Sequence, residues 1–269
     1  MTREDRRTDD LPTLKARRSS VCRVDASGAL STIAEAEGFL LDRGMLTRTT
    51  DSALPSLYEA CHEEPYKAQG VGFASWPATK WHWFGELAAR PTAHPLKVHR
   101  GKSILFSDES LALVDPICRA ELARMEEADA GWRRLLGHVA EAGPSTLEDI
   151  QIELHLGPKE LKALRYPLER CGAVVSRSVV KTGAGDGHLH TSELARFDQV
   201  YPQPAGGGGI AELVVAAARA AVVAPEGDVR RWFSWSWLVS PELVEDLVGE
   251  GLLYHPAPGW IAASEVASG

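Results

Sequence analysis

Between Trp132 and Asp198 the apolar positions change from helical to extended spacing, and the flanking sequence reads as variations on that stretch. Leu135, Leu136 and Val139 fall on one helical face, and Gly143-Pro144 stops that helix. Ser145 or Thr146 can cap a short second helix. Its apolar positions are Leu147, Ile150 and Leu154, and Glu148 and Asp149 lie early, where the helix dipole favours negative charge. After the turn His155–Pro158 a third helix begins at Lys159, with Leu161, Leu164 and Leu168 in one stripe and Gly172 as its stop. Residues 173–180 are rich in strand formers, 183–187 are a glycine turn, and a polar return strand leads to Phe197. Three helices and then a hairpin is the order of a winged helix-turn-helix, whose third helix can project toward a DNA groove. Pro167 is expected to kink that helix or end it near Tyr166, because it removes a backbone hydrogen bond at a cost of about 3 kcal/mol or more.

The flanks repeat the plan less strictly. A helix is expected over Ala29–Arg43, capped by Ser31 and stopped by Gly44, then a short extended Met45-Leu46-Thr47 and a second helix opened by Asp51 or Ser52. Trp76, Trp81 and Trp83 cluster around Lys80 and His82; rings beside cations can stack on bases, but mixed spacing favours a core role. Residues 95–99 and 103–106 alternate around Arg100-Gly101-Lys102 and predict a β-hairpin with a basic tip. Ser107 caps a following helix, and Pro116 is expected to begin a separate acidic segment. After a glycine linker, Pro204–Gly209, the last segment predicts a helix over Ile210–Val223, a short helix over Asp228–Phe233, a third helix after Ser240-Pro241, and a small hairpin around residues 256–259. The expected fold class is α+β, mainly α: tandem winged helix-turn-helix modules with small β-hairpin wings. The expected divisions are a flexible arm of mixed charge at 1–27, an N-terminal module at 28–130, a central module at 131–203 and a C-terminal module at 204–269.

Charge sorts these modules. The formal net charge is −8, so any DNA affinity must come from local basic faces on an acidic body. Lys159, Lys162 and Arg165 recur every three residues opposite the leucine stripe, although Glu160 and Glu169 dilute the face. With Arg177 on the following strand, and Lys97, His99, Arg100 and Lys102 around the hairpin, they are the candidate DNA-binding residues, since cations that neutralise phosphates release counterions. The third helix of the C-terminal module is acidic, with Glu242, Glu245, Asp246 and Glu250, and fits a protein partner better than phosphate. No apolar run is long enough to span a membrane, and residues 1–20 are charged rather than signal-like. Cys22, Cys61, Cys118 and Cys171 are dispersed; free thiols in a cytoplasmic protein are the simple expectation.

Several short runs resemble the AlkZ-like DNA glycosylases. They are Gly143-Pro144-Ser145-Thr146 opening the central second helix, Leu54-Pro55-Ser56-Leu57-Tyr58-Glu59-Ala60, Trp81-His82-Trp83 with Lys97 and Gly101-Lys102, and the C-terminal runs Asp228–Phe233, Glu250-Gly251-Leu252 and Gly259-Trp260. The resemblance implies duplex DNA as the partner and, in active members, removal of alkylated or crosslinked bases. Those members carry a Gln-x-Gln or Gln-x-Asp in the N-terminal module, and residues 1–130 contain no such pair. The near match is Gln151-Ile152-Glu153 in the central module, where Gln151 and Glu153 read most simply as solvent-facing. Enzyme activity is therefore left open.

Other chemistry is sparse. His188 and His190, with Asp186, could ligate a metal but sit on a polar hairpin without further ligands, and neither a metal nor a cofactor is expected. No phosphate-binding glycine loop followed by Lys-Ser/Thr occurs. The leading expectation is a duplex-DNA-binding protein without strong chemistry, acting in lesion recognition or regulation. The alternatives are an active monofunctional glycosylase excising alkylated bases and a protein-interaction scaffold.

Overall fold

A computed structural model describes residues 9–182 and 188–264. The chain is α+β and mainly helical, with its strands in small three-stranded sheets. Helix α1 (Leu11–Val21) lies within the segment read as a flexible arm. Asp10 caps it by accepting from the Thr13 amide at 2.9 Å. Leu14 and Cys22 are buried in a cluster with Val222, Val223 and Ala262, and Arg18 donates to the carbonyls of Ala53 (2.6 Å) and Ala221 (2.9 Å). An Asp cap followed by Pro at the second helical position is the local signal for this helix.

Helix α2 (Ile33–Arg43) is capped by Thr32 rather than Ser31 and ends at Gly44, whose φ of +76° is the left-handed stop. Strand β1 (Met45–Thr47) is buried throughout and leads to α3 (Leu57–Cys61) and α4 (Trp83–Ala88). The tryptophan cluster divides. Trp83 belongs to the core with Phe39, Leu40, Leu57 and Phe84, whereas Trp81 is exposed beside Phe73. Strands β2 (His94–His99) and β3 (Lys102–Phe106) form the expected hairpin. Its two turn residues, Arg100 and Gly101, have φ of +54° and +76°, which suits a primed two-residue turn.

Helix α5 (Asp108–Ala128) contains Pro116 without a break, against the expectation that a new segment starts there. Val114, Ile117, Cys118, Leu122 and Met125 are all buried along it, and that burial offsets the one missing hydrogen bond. Helix α6 (Ala130–Ala142), the short strand β4 (Ser145–Thr146), α7 (Leu147–Glu153), α8 (Pro158–Cys171), β5 (Val174–Thr182) and β6 (His188–Arg196) follow the expected central order. Thr146 is the cap of α7. Pro167 likewise sits inside α8, which neither ends nor restarts at Tyr166; buried Leu161, Leu168 and Cys171 hold both halves on the core. After α9 (Phe197–Val200), the C-terminal elements are α10 (Ile210–Ala221), β7 (Ala224–Pro225), α11 (Val229–Trp232), α12 (Leu243–Gly249), β8 (Leu253–Ala257) and β9 (Trp260–Ala263).

Among the described residues the three sheets share one order. The strands run β1-β3-β2, β4-β6-β5 and β7-β9-β8, so in each the third strand of the set lies between the first and second. In the second sheet Ser145 lies opposite Leu194, and Ser176 opposite the same residue from the other side. The chain packs as two compact units. One comprises Met1–His94, Leu105–Ser110 and Ile210–Gly269; the other comprises Pro95–Ile104 and Leu111–Gly209. In the second unit Leu135, Leu136, Val139, Ile150, Leu161, Leu168 and Leu194 meet in an apolar core. That unit places α8 and the tip of the β2–β3 hairpin in one body.

Candidate nucleic-acid interface

The basic residues of the second unit fall into two groups once their surroundings are known. Lys159 and Lys162 on α8 are exposed, and among the described residues neither makes an ion pair. Glu160, between them in sequence, uses its carboxylate to accept from the Gly157 amide at 2.7 Å at the start of the helix. Arg177 on β5 is exposed. It lies within electrostatic range of Tyr201, whose hydroxyl burial pushes up to about 12 while Arg177 acts in the opposite direction.

Arg165 and Lys97 behave differently. Both turn to Glu169, which is 4% exposed. Lys97 Nζ donates to Glu169 Oε1 at 2.7 Å and to Ser176 Oγ at 3.2 Å, and Arg165 Nη1 donates to the same carboxylate oxygen at 3.2 Å. A charge held this way has exchanged part of its water for a fixed partner. Lys97 and Arg165, read as DNA-contact candidates, here pair with a buried carboxylate, and Lys97 also reaches β5 through Ser176. His99, another of those candidates, is buried. It is 1% exposed, because the end of β2 is covered on both faces.

The hairpin tip joins the helix. A Cβ placed on Gly101 would lie 2.9 Å from Tyr166 Oη and 3.5 Å from Arg170 Cδ, so the turn rests against the C-terminal half of α8. The Arg170 guanidinium lies 5.5 Å from the centre of the Tyr166 ring, which is itself 45% exposed. Arg100 and Lys102, both exposed, flank this contact. Two basic clusters read separately in the sequence thus share one body: Lys159 and Lys162 on the helix, and Arg100 and Lys102 at the tip. Tyr166 and Arg170 were missed. Their i, i+4 spacing puts them on one helical face, but nothing local to α8 shows that a hairpin comes to rest there.

Gln151 and Glu153 lie on α7. Glu153 is 60% exposed, with its carboxylate 3.6 Å from His138 Nδ1, and the intervening Ile152 is 64% exposed. Residues two apart on a helix point in widely different directions, so this pair does not converge on one reacting atom. Among the described residues no three His, Cys, Asp or Glu side chains are grouped to hold a metal; the side chains of Asp186, His188 and His190 fall outside those described. No protein-family model, characterised protein or solved structure matches this chain.

Proposed function

We propose that this chain is a duplex-DNA-binding protein built from tandem winged helix-turn-helix modules, related to the AlkZ-like glycosylases and acting by lesion recognition or regulation rather than base excision. Support for the module reading comes from the strand order repeated in all three sheets and from the helix–strand–helix–helix–hairpin succession of α6 to β6. Support for DNA as the partner comes from one observation above the others. Lys159 and Lys162 stand exposed on the third helix of the central module, on the same body as the basic tip Arg100–Lys102. Phosphate contacts of this kind position a duplex without reading its sequence. Support for binding without excision is the missing Gln-x-Gln or Gln-x-Asp and the divergent placement of Gln151 and Glu153.

Titration of alkylated and intact duplexes at two salt concentrations tests the reading. Binding that weakens steeply with salt is expected for both. Absence of binding to either duplex at low salt refutes it. A higher affinity for the alkylated duplex assigns lesion recognition; equal affinities assign regulation.

A further inference from the structure

Residues 64–78 fold back on themselves within the unit formed by Met1–His94, Leu105–Ser110 and Ile210–Gly269. The Tyr66 amide donates to the Trp76 carbonyl at 2.6 Å, the Lys67 amide to that of Ala74 at 2.9 Å, and the Ala78 amide to that of Glu64 at 2.9 Å. Gln69 and Gly72, with φ of +57° and +62°, turn the chain at the far end. This finger leaves apolar side chains outside. Val71 at its turn is 92% exposed, Tyr66 56% and Phe73 49%, and Trp81, 41% exposed, joins them. Phe73 is the centre of the group, its ring 5.5 Å from that of Trp81, 6.1 Å from Tyr66 and 4.5 Å from Trp76. Single exposed apolar side chains are ordinary on a folded protein; contiguous exposed rings mark a binding surface.

Two cations beside these rings lack a carboxylate partner among the described residues. Lys67 is exposed on the finger and forms no ion pair. The Arg48 guanidinium lies 5.3 Å from the centre of the Trp76 ring and 4.5 Å from that of Phe84, and its buried Nε has no hydrogen-bond acceptor. Burial pushes that guanidinium below its ordinary value, and the group that acts back on it is Tyr58, not a carboxylate. The acids nearby in sequence are engaged or screened. Glu63 accepts from the Thr79 hydroxyl and, at 2.8 Å, from the Lys80 amide; Glu86 pairs with His82 at 3.1 Å; Glu64 is exposed to water at the base of the finger. A peptide laid on the rings would leave Lys67 and Arg48 unmatched. A nucleotide offers a flat π face to the rings and an anion to the cations.

We infer that this finger stacks on the base left unpaired in an interrupted DNA duplex, with Phe73 and Trp81 against the base and Lys67 toward its phosphate. The inference rests on the DNA reading above and names the feature of the lesion that is recognised. The test uses the full chain and two duplexes of one sequence, one fully paired and one with a single abasic site opposite a base. The wild type is expected to bind the interrupted duplex about tenfold more tightly, the order of magnitude of one base–ring stack. Phe73→Leu keeps an apolar side chain without the ring; it is expected to lose that preference and to bind the paired duplex as the wild type does. Phe73→Tyr is expected to keep the preference. Tyr66→Leu, at a more exposed position, is expected to reduce it, so the outcome does not rest on one variant folding. Lys67→Gln is expected to lower the salt slope on the interrupted duplex by about one. Lys159→Ala/Lys162→Ala is expected to weaken both duplexes and leave their ratio unchanged. Equal wild-type affinities for the two duplexes, or a preference that Phe73→Leu and Tyr66→Leu both retain, overturn this inference and leave the duplex reading standing. Binding to neither duplex overturns both.

Discussion

Replacing Glu169 by Gln removes one charge while keeping the shape of the side chain, and it strikes the node on which the candidate face is built. The carboxylate is 4% exposed and serves two cations, Lys97 at 2.7 Å and Arg165 at 3.2 Å. Removing one partner of a fully buried ion pair costs about 3–5 kcal/mol, chiefly because the other charge is left without compensation. Here the cations are 27% and 22% exposed, so water recovers part of that loss. A cost of about 3 kcal/mol follows, or roughly 6–12 °C in thermal midpoint for a chain of this size. Circular dichroism melts of wild type, Glu169→Gln, Lys97→Met and the double variant measure it, with the exposed Glu153→Gln as control. The double variant is expected to lose less than the sum of the singles, because Lys97→Met removes the charge that Glu169→Gln strands. A Glu169→Gln midpoint within about 2 °C of wild type would refute the claim that this carboxylate holds β2 to α8.

Three further predictions use other parts of the structure. Gly101→Ala is expected to cost about 1–3 kcal/mol, from a positive φ and a Cβ 2.9 Å from Tyr166 Oη; Tyr166→Phe should restore part of the loss, and a melt as stable as wild type would show that the tip does not rest on α8. Burial pushes the Cys61 and Cys171 thiols from 9.0 up to about 11, so folding favours their protonated forms. Their stabilisation is complete below pH 9 and is lost as pH rises through about 11, so the denaturation midpoint should fall across that interval, and fall less in Cys61→Ala/Cys171→Ala. A single-turnover assay on alkylated duplex should release no free base, and released base that persists in Gln151→Ala/Glu153→Ala would point to an excision site elsewhere in the chain.

The elements from α6 to β6 were legible because their local signals agree with one another. The leucine stripes of α6 and α8, the Thr146 cap and the Gly172 stop each point to the same boundaries, and each lies where the sequence pattern puts it. The two prolines, Pro116 and Pro167, misled for a physical reason: burial on both sides of each outweighs a single missing hydrogen bond. Helix α1 was hidden by its charge, since Leu14 is its one fully buried residue, with Leu11 and Val21 partly buried, while Arg17 and Arg18 dominate the composition. The candidate face was legible as a list of cations but not as a surface. How Lys97 and Arg165 are held depends on Glu169, a buried carboxylate whose role rests on contact with Lys97, 72 residues away, which also donates to Ser176. No periodicity in the sequence carries that information.

The salt dependence of duplex binding by Lys159→Ala/Lys162→Ala tests the DNA-binding reading most directly. Each phosphate contact contributes about 0.9 to the slope of log affinity against log salt, so loss of both should lower it by about 1.8 and weaken binding alike across sequences. An unchanged slope and affinity in a folded double variant would contradict the assignment of this helix to the phosphate backbone.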